Sequence, residues 1–352
     1  MTAESEHPSS VDRAFGFESR QQLLTEYFAS AGNITTANAW IHVYRLLLWT
    51  DRTTGLAHCY ESDKAQPGRP WYGRSLAFHD FLSSALGVNP HEVATQIDWL
   101  FRKGTQRLAE VVARQSSSRT TRAAGQREAY LERGFPEPGE DPVLESLIRE
   151  SLAQWLTDPP ADVLRKLTQD IQLYFGQENK RKNLVGEGFE DVLAGLIQRI
   201  QGAKDVTVEA RPLLHTLPGF RPPPGVEKAR RVDLGVTARE HRRVLVSAKW
   251  SIRADREEQF GVDFDTYARL EDAGKDFEFV LVTNEFDAAR LLAACNRRRP
   301  NAALFTSVVH VNPMGPISAY GSTVRGAATQ LAELVESGRL VSLERWLNSF
   351  VE

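Results

Sequence analysis

Cysteine is nearly missing from this chain: Cys59 and Cys295 are its only two in 352 residues. That excludes a small disulfide scaffold. With His58 beside Cys59 and Cys295 alone, no zinc-ligand spacing is written either. No run approaches the ~18 apolar residues of a membrane span; the longest candidate, Trp40 to Trp49, is broken by His42 and Arg45. The opening MTAESEHPSS is acidic and polar, where a secretory signal needs a basic start and an apolar core. The expectation is a bacterial cytoplasmic protein with no membrane partner. A P-loop and a GxGxxG turn are both lacking, and His215, His241 and His310 have no triad-like company. Lysine is scarce as well, nine against 34 arginines. Arginine's planar fork suits phosphates and guanine edges, although a GC-rich genome produces the same bias. The net charge of −3 does not by itself point to nucleic acid.

What is present is ordinary globular composition, 41% hydrophobic and 25% charged, with length for about two domains. The first third reads helical. Trp40, Val43, Tyr44, Leu47 and Leu48 form one helical face. Ser75 to Leu108 reads as a helical pair around Gly87-Val88-Asn89-Pro90, and ALGVNPHEVATQIDWL loosely resembles a helix-turn-helix. The polar stretch Gln115 to Pro142, with SSSRTTR and PEPGEDP, has linker chemistry. The expected organisation is a helical N-terminal domain (1–125) making DNA or dimer contacts, a linker (126–142) and a second domain (143–352). In the second domain helices are expected over Val143–Trp155, Ala161–Phe175 and Gly186–Ile200. Strands follow at Val206–Ala210, Arg231–Val236, Val244–Trp250, Phe277–Thr283 and Val308–Val311, with a helix over Phe286–Asn296. This order predicts an α/β sandwich around a mixed sheet.

The most informative stretch is residues 226–256, VEKARRVDLGVTAREHRRVLVSAKWSIRADR. It holds nine basic residues against four acids, a local excess of +5 that suits a polyanion. A solvated hairpin surface would carry charge in the same way. Period-two alternation puts Val232, Leu234 and Val236 on one face and Asp233 on the other. It puts Val244, Val246, Ala248 and Trp250 opposite Ser247 and Lys249. A hairpin turning around His241 sets Asp233 across from Lys249, if that register holds.

A carboxylate that binds Mg²⁺, a second carboxylate and a lysine are what phosphodiester hydrolysis needs. An ordinary hairpin with a surface ion pair would show the same two residues. The spacing Asp233-x(13)-Ser247-Ala248-Lys249 resembles the PD-(D/E)xK nuclease signature, with Ser247 in the acidic slot. Glu190 falls at the edge of the apolar stripe of Phe189, Leu196 and Ile200, and FEDVLAGLI resembles the first core helix of that family. Lys249-x(3)-Arg253-x-Asp255-Arg256 resembles the CCGG-recognising branch of the type II restriction endonucleases. The resemblance, which covers roughly residues 183–285, implies the following. The fold is a PD-(D/E)xK restriction-endonuclease-like α/β core, a mixed sheet flanked by helices, joined to an N-terminal all-α domain. Asp233, Lys249, Glu190, Ser247 and Asp263 form the catalytic site. Asp233, Glu190 and Asp263 bind Mg²⁺. Arg253, Asp255 and Arg256 read the bases of double-stranded DNA, and a palindromic target implies a homodimer or higher homo-oligomer. Arginine forks match guanine and a carboxylate matches cytosine N4 independently of the resemblance. Asp263 stands where the branch carries Glu; Glu257, Glu258 and Asp265 are neighbouring alternatives. A repair nuclease on the same fold, or a non-catalytic DNA-binding module, are the competing readings.

Overall fold

The structure is a computed structural model. It describes residues 14–351 apart from 52–53, 59–65, 135–139, 157–158, 204, 240–241, 254–256, 273–275, 301 and 322–325. Asp255 and Arg256, and with them Cys59 and His241, lie outside the described residues. The chain divides into two compact units. One comprises residues 1–19 and 103–184, the other residues 20–102 and 185–352. This differs from the expected organisation: the segment 20–102 belongs with the sheet. The physical reason lies in its helices. From α2 (Ala39–Leu47), Tyr44 donates its hydroxyl proton to Asn284 Oδ1 at 3.0 Å. From α3 (Pro70–Leu86), Phe78 packs edge-on to Phe286 with ring centroids 4.6 Å apart. Helix α1 (Phe17–Ser30) precedes them.

The stretch that loosely resembles a helix-turn-helix does not form two full helices. Helix α3 ends as expected at Gly87, which takes the left-handed conformation at φ 66°. After a 3₁₀ turn, however, α4 (Val93–Gln96) is only four residues long. The chain breaks at Asp98, φ 57°, before α5 (Trp99–Arg127) begins. A helix of four residues is too short to span a major groove.

The first unit holds the rest of α5, the capped helix α6 (Pro142–Leu152) and the first part of α7 (Ala161–Ile197). The Asp141 carboxylate accepts the Leu144 N–H at 3.0 Å, a standard N-cap. The two helices expected at 161–175 and 186–200 are a single 37-residue helix running through Gly176 and Gly186.

In the second unit, strands β1 (Thr207–Ala210), β2 (Leu234–Ala238), β3 (Arg242–Lys249) and β4 (Glu278–Thr283) are followed by a small ribbon, β5 (Arg298–Arg299) with β6 (Ala302–Ala303). Then come β7 (Ser307–His310) and β8 (Leu340–Ser342). The main sheet has the order β1-β2-β3-β4-β7-β8. Its first three strands are antiparallel and its last three join in parallel. Helices α8 (Glu257–Leu270), α9 (Ala288–Asn296), α10 (Met314–Tyr320), α11 (Ala327–Glu336) and α12 (Leu343–Asn348) complete the unit. The expected mixed sheet flanked by helices is therefore present. The sequence reading did not anticipate β8, a three-residue edge strand.

The interior follows from strand alternation. Leu245, Phe279, Leu281 and Val308 join Phe260, Tyr267, Leu291 and Leu331 in one apolar layer. Val244, Val246, Val280, Val282 and Val309 are buried as well, so the central strands are covered on both faces, as parallel sheets require. Gly235 in β2 is held to hydrogen by space: a Cβ there would sit 2.6 Å from Leu217.

Candidate active site

The chain bends at Asp233 just before β2, and this bend builds the site. Arg231 bridges to Leu213, and the Val232 N–H bonds Pro212 O at 3.1 Å. Val232 consequently joins the layer of Leu245 and Phe279, while Leu234 and Val236 do not. The expectation that all three share one face fails at this bend. The hairpin register also differs. Leu234 pairs with Val246 and Ala238 with Arg242, two residues tighter than the register that sets Asp233 across from Lys249. A two-residue change preserves the side-chain face, and Lys249 reaches back. Its Nζ donates to Asp233 Oδ2 at 2.6 Å. The same oxygen accepts the Ala248 N–H at 2.9 Å and the Ser247 hydroxyl at 3.4 Å.

Glu190 approaches from α7. Burial pushes its carboxyl up to about 7, the Asp233 charge adds to that rise, and the bond from Arg211 opposes it. The sequence-derived pair of carboxylates is thus close enough to interact. Asp263, on α8, accepts from Gln259 Nε2 at 2.7 Å. Burial raises its carboxyl and the Asp233 charge adds to this; Arg230 and Lys249 oppose the rise. Lys249, Ser251, Arg253, Gln259 and Asp263 line one cavity of about 130 Å³. The exposed Arg253 therefore lines the same cavity as Lys249 of the Asp233–Lys249 pair.

Three residues at this place carry no motif. Arg211 donates from Nη1 to Glu190 Oε2 at 2.7 Å and from Nη2 to Asp191 Oδ1. Burial pulls its guanidinium down, and the bonds to Asp191 and Glu190 more than restore it. Asp191, fully buried, also accepts from Arg20 Nε at 2.7 Å. Tyr267 is held protonated by burial first, then by the Asp263 and Asp233 charges. Only the non-glycine positive φ of Arg211, 54°, flags it as unusual, and sequence does not show that.

Behind the site, the strand ends are tied together. Glu285, fully buried, accepts the Ile252 N–H at 2.7 Å and the Asp287 N–H at 2.8 Å. His310 accepts the Asn312 N–H at Nδ1, so its Nε2 donates to Glu285 O at 2.9 Å. Burial lowers this imidazole to about 4, which keeps it neutral.

Whether Mg²⁺ fits can be judged from the carboxylate oxygens. Among the described residues no three His, Cys, Asp or Glu are grouped to hold an ion. Asp233, Glu190 and Asp263 therefore form no ready-made three-acid cluster. Mg²⁺ asks for less: one or two carboxylates, with water and substrate phosphate completing the shell. All bonds from described residues to Asp233 fall on Oδ2, and Glu190 is bonded through Oε2. Among the described residues nothing bonds Asp233 Oδ1 or Glu190 Oε1, the two acids repel each other, and this donor set suits a two-carboxylate Mg²⁺ site.

Compared with known proteins, the chain matches no family model and no curated protein. No helix among the described residues is long and apolar enough to cross a membrane.

Proposed function

We propose that this chain is a Mg²⁺-dependent, sequence-specific double-stranded DNA endonuclease of the type II restriction class, acting at a palindrome that contains CCGG. The observation that carries the reading is the 2.6 Å contact of Lys249 with Asp233 beside Glu190. It lies at the carboxyl end of β3, where open α/β sheets bind their ligands. Asp233 and Glu190 would hold Mg²⁺, which would polarise the phosphate and acidify a water. Asp233 keeps its orientation because Lys249, Ala248 and Ser247 hold its Oδ2. Lys249 offsets charge developing on the phosphate and orients the attacking water. The water oxygen bonds to phosphorus and gives up a proton to solvent as the bond to the leaving sugar oxygen breaks, and that oxygen takes up a proton from solvent. Arg253, with Asp255 and Arg256, reads guanine and cytosine edges next to the scissile phosphate. A palindromic target calls for two symmetry-related sites, hence a homo-oligomer on DNA.

The test is direct. The purified protein is incubated with a sequenced, unmethylated plasmid and Mg²⁺, and the fragment ends are sequenced. Discrete cuts at CCGG-containing palindromes support the whole reading. Cuts elsewhere keep the nuclease and remove the assignment of Arg253, Asp255 and Arg256. Tight, salt-sensitive binding without cleavage would leave a DNA-binding module instead.

A further inference from the structure

Arg211 touches both halves of the candidate metal site by different parts of the same residue. Its backbone N–H donates to the carbonyl of Asp233 at 2.9 Å, and its guanidinium holds Glu190 Oε2 at 2.7 Å. The second guanidinium arm holds Asp191 Oδ1, the next residue on α7. Arg231 Nη1 fixes the Arg211 carbonyl at 2.8 Å. The left-handed φ of 54° is what lets one non-glycine residue turn its amide toward Asp233 and its side chain toward α7. Such a conformation is unfavourable for a non-glycine residue and persists only where its surroundings over-determine it. Here five hydrogen bonds, to and from Arg211, do so.

We infer that Arg211 is the positioning residue of the metal site: it ties the Glu190 carboxylate on α7 to the Asp233 backbone and so sets how the two acids stand relative to each other. It spans two carboxylates 43 positions apart in the chain, on segments between which no backbone hydrogen bond is made among the described residues. A fork-shaped side chain is required, since a lysine is a point charge and cannot hold Glu190 and Asp191 together. This inference rests on the nuclease reading above.

Arg20 supplies the comparison. Among the described residues it bonds the buried Asp191 and the exposed Glu187, with no bond to Glu190 or Asp233. The experiment titrates Mg²⁺ by calorimetry into the full-length protein bound to a cleavage-resistant phosphorothioate duplex, for wild type, Arg211→Lys and Arg20→Lys. DNA affinity without metal and thermal midpoints are measured alongside. Arg211→Lys is expected to lose roughly 10- to 100-fold in Mg²⁺ affinity, the usual effect of removing a group that orients a ligand. Its metal-free DNA affinity is expected to stay within about twofold, since phosphate and base contacts are unchanged. Arg20→Lys is expected to lower the thermal midpoint while leaving Mg²⁺ affinity within about threefold, because its bonds reach neither open carboxylate. Unchanged Mg²⁺ affinity in Arg211→Lys overturns the inference, as does an equal loss in Arg20→Lys. A wild-type protein that binds no Mg²⁺ on DNA overturns the nuclease reading itself. An Arg211→Lys that does not fold is replaced by Arg211→Gln, whose shorter amide has a single donor group and cannot hold Glu190 and Asp191 together, and the same loss in Mg²⁺ affinity is expected.

Discussion

The carboxyl of Glu190 should make this protein less stable as pH rises, and replacing it should reverse that. In the folded chain its proton leaves near pH 7, against 4.5 for an unperturbed glutamate. The folded state therefore holds the proton more tightly. Stability from this group is complete below 4.5, declines as pH rises toward 7, and is fully lost above 7. At about 1.4 kcal/mol per pH unit, ionised Glu190 weakens folding by about 3 kcal/mol, a large share of the ~5–15 kcal/mol of a typical domain. This figure is already net of the bond from Arg211. Glu190→Gln mimics the protonated acid, so the variant should gain about 2–3 kcal/mol on wild type between pH 5 and pH 8. Urea unfolding at half-unit pH steps in a chelator measures this. Other groups cancel in the difference, including His310, whose depressed titration removes stability on the acid side as pH falls from 6.5 toward 4. Saturating Mg²⁺ should restore wild-type stability at pH 8 and leave the variant unchanged. Parallel pH profiles for the two proteins would refute the account, because they would mean that Glu190 is neither buried nor facing Asp233.

Asp233→Ala should abolish cleavage while salt-sensitive DNA binding persists; a variant that still cuts shows that the metal site is elsewhere. Arg253→Ala should lose about 1–3 kcal/mol of discrimination between CCGG and single-mismatch duplexes in competition binding, with non-specific affinity nearly unchanged. Phe279→Ala should cost about 3–5 kcal/mol by urea unfolding, because its ring contacts Tyr267 and Phe305 in the core. Burial pushes the Cys295 thiol up to about 12, so iodoacetamide should label it only after unfolding.

The chemistry-bearing pair was legible because it depends on local rules. Asp233 and Lys249 lie on strands joined by one turn, and period-two alternation assigns their faces whatever the turn length. The turn length itself is not written in the alternation, and the pairing lies two residues from the symmetric guess. Glu190 could be placed because a helical stripe has an edge. Arg211, Arg20 and Asp191 could not. Their ion pairs span 20 and 171 residues, and each residue looks like an ordinary surface charge until the chain is folded. The same holds for α2 and α3. The amphipathic pattern of α2 announces a buried face and that of α3 is weak, and Asn284 and Phe286 as the partners of Tyr44 and Phe78 come only from tertiary structure. Glycines at 176 and 186 suggested two helices where one runs through, since a single glycine costs only about 1 kcal/mol in a helix.

The division of the sheet-bearing unit into residues 20–102 and 185–352 has a consequence during synthesis. When Arg102 leaves the ribosome, α2 and α3 exist without the strand ends they cover, and Tyr44 and Phe78 present their rings to water. The next 82 residues build the other unit, which takes roughly 4–16 s at ~5–20 residues per second. Asn284 and Phe286 arrive later still. The early helices are therefore a waiting half of a core, vulnerable to chaperone capture or aggregation throughout that interval. A fragment beginning at residue 143 would lack them altogether, leaving the end of β4 uncovered.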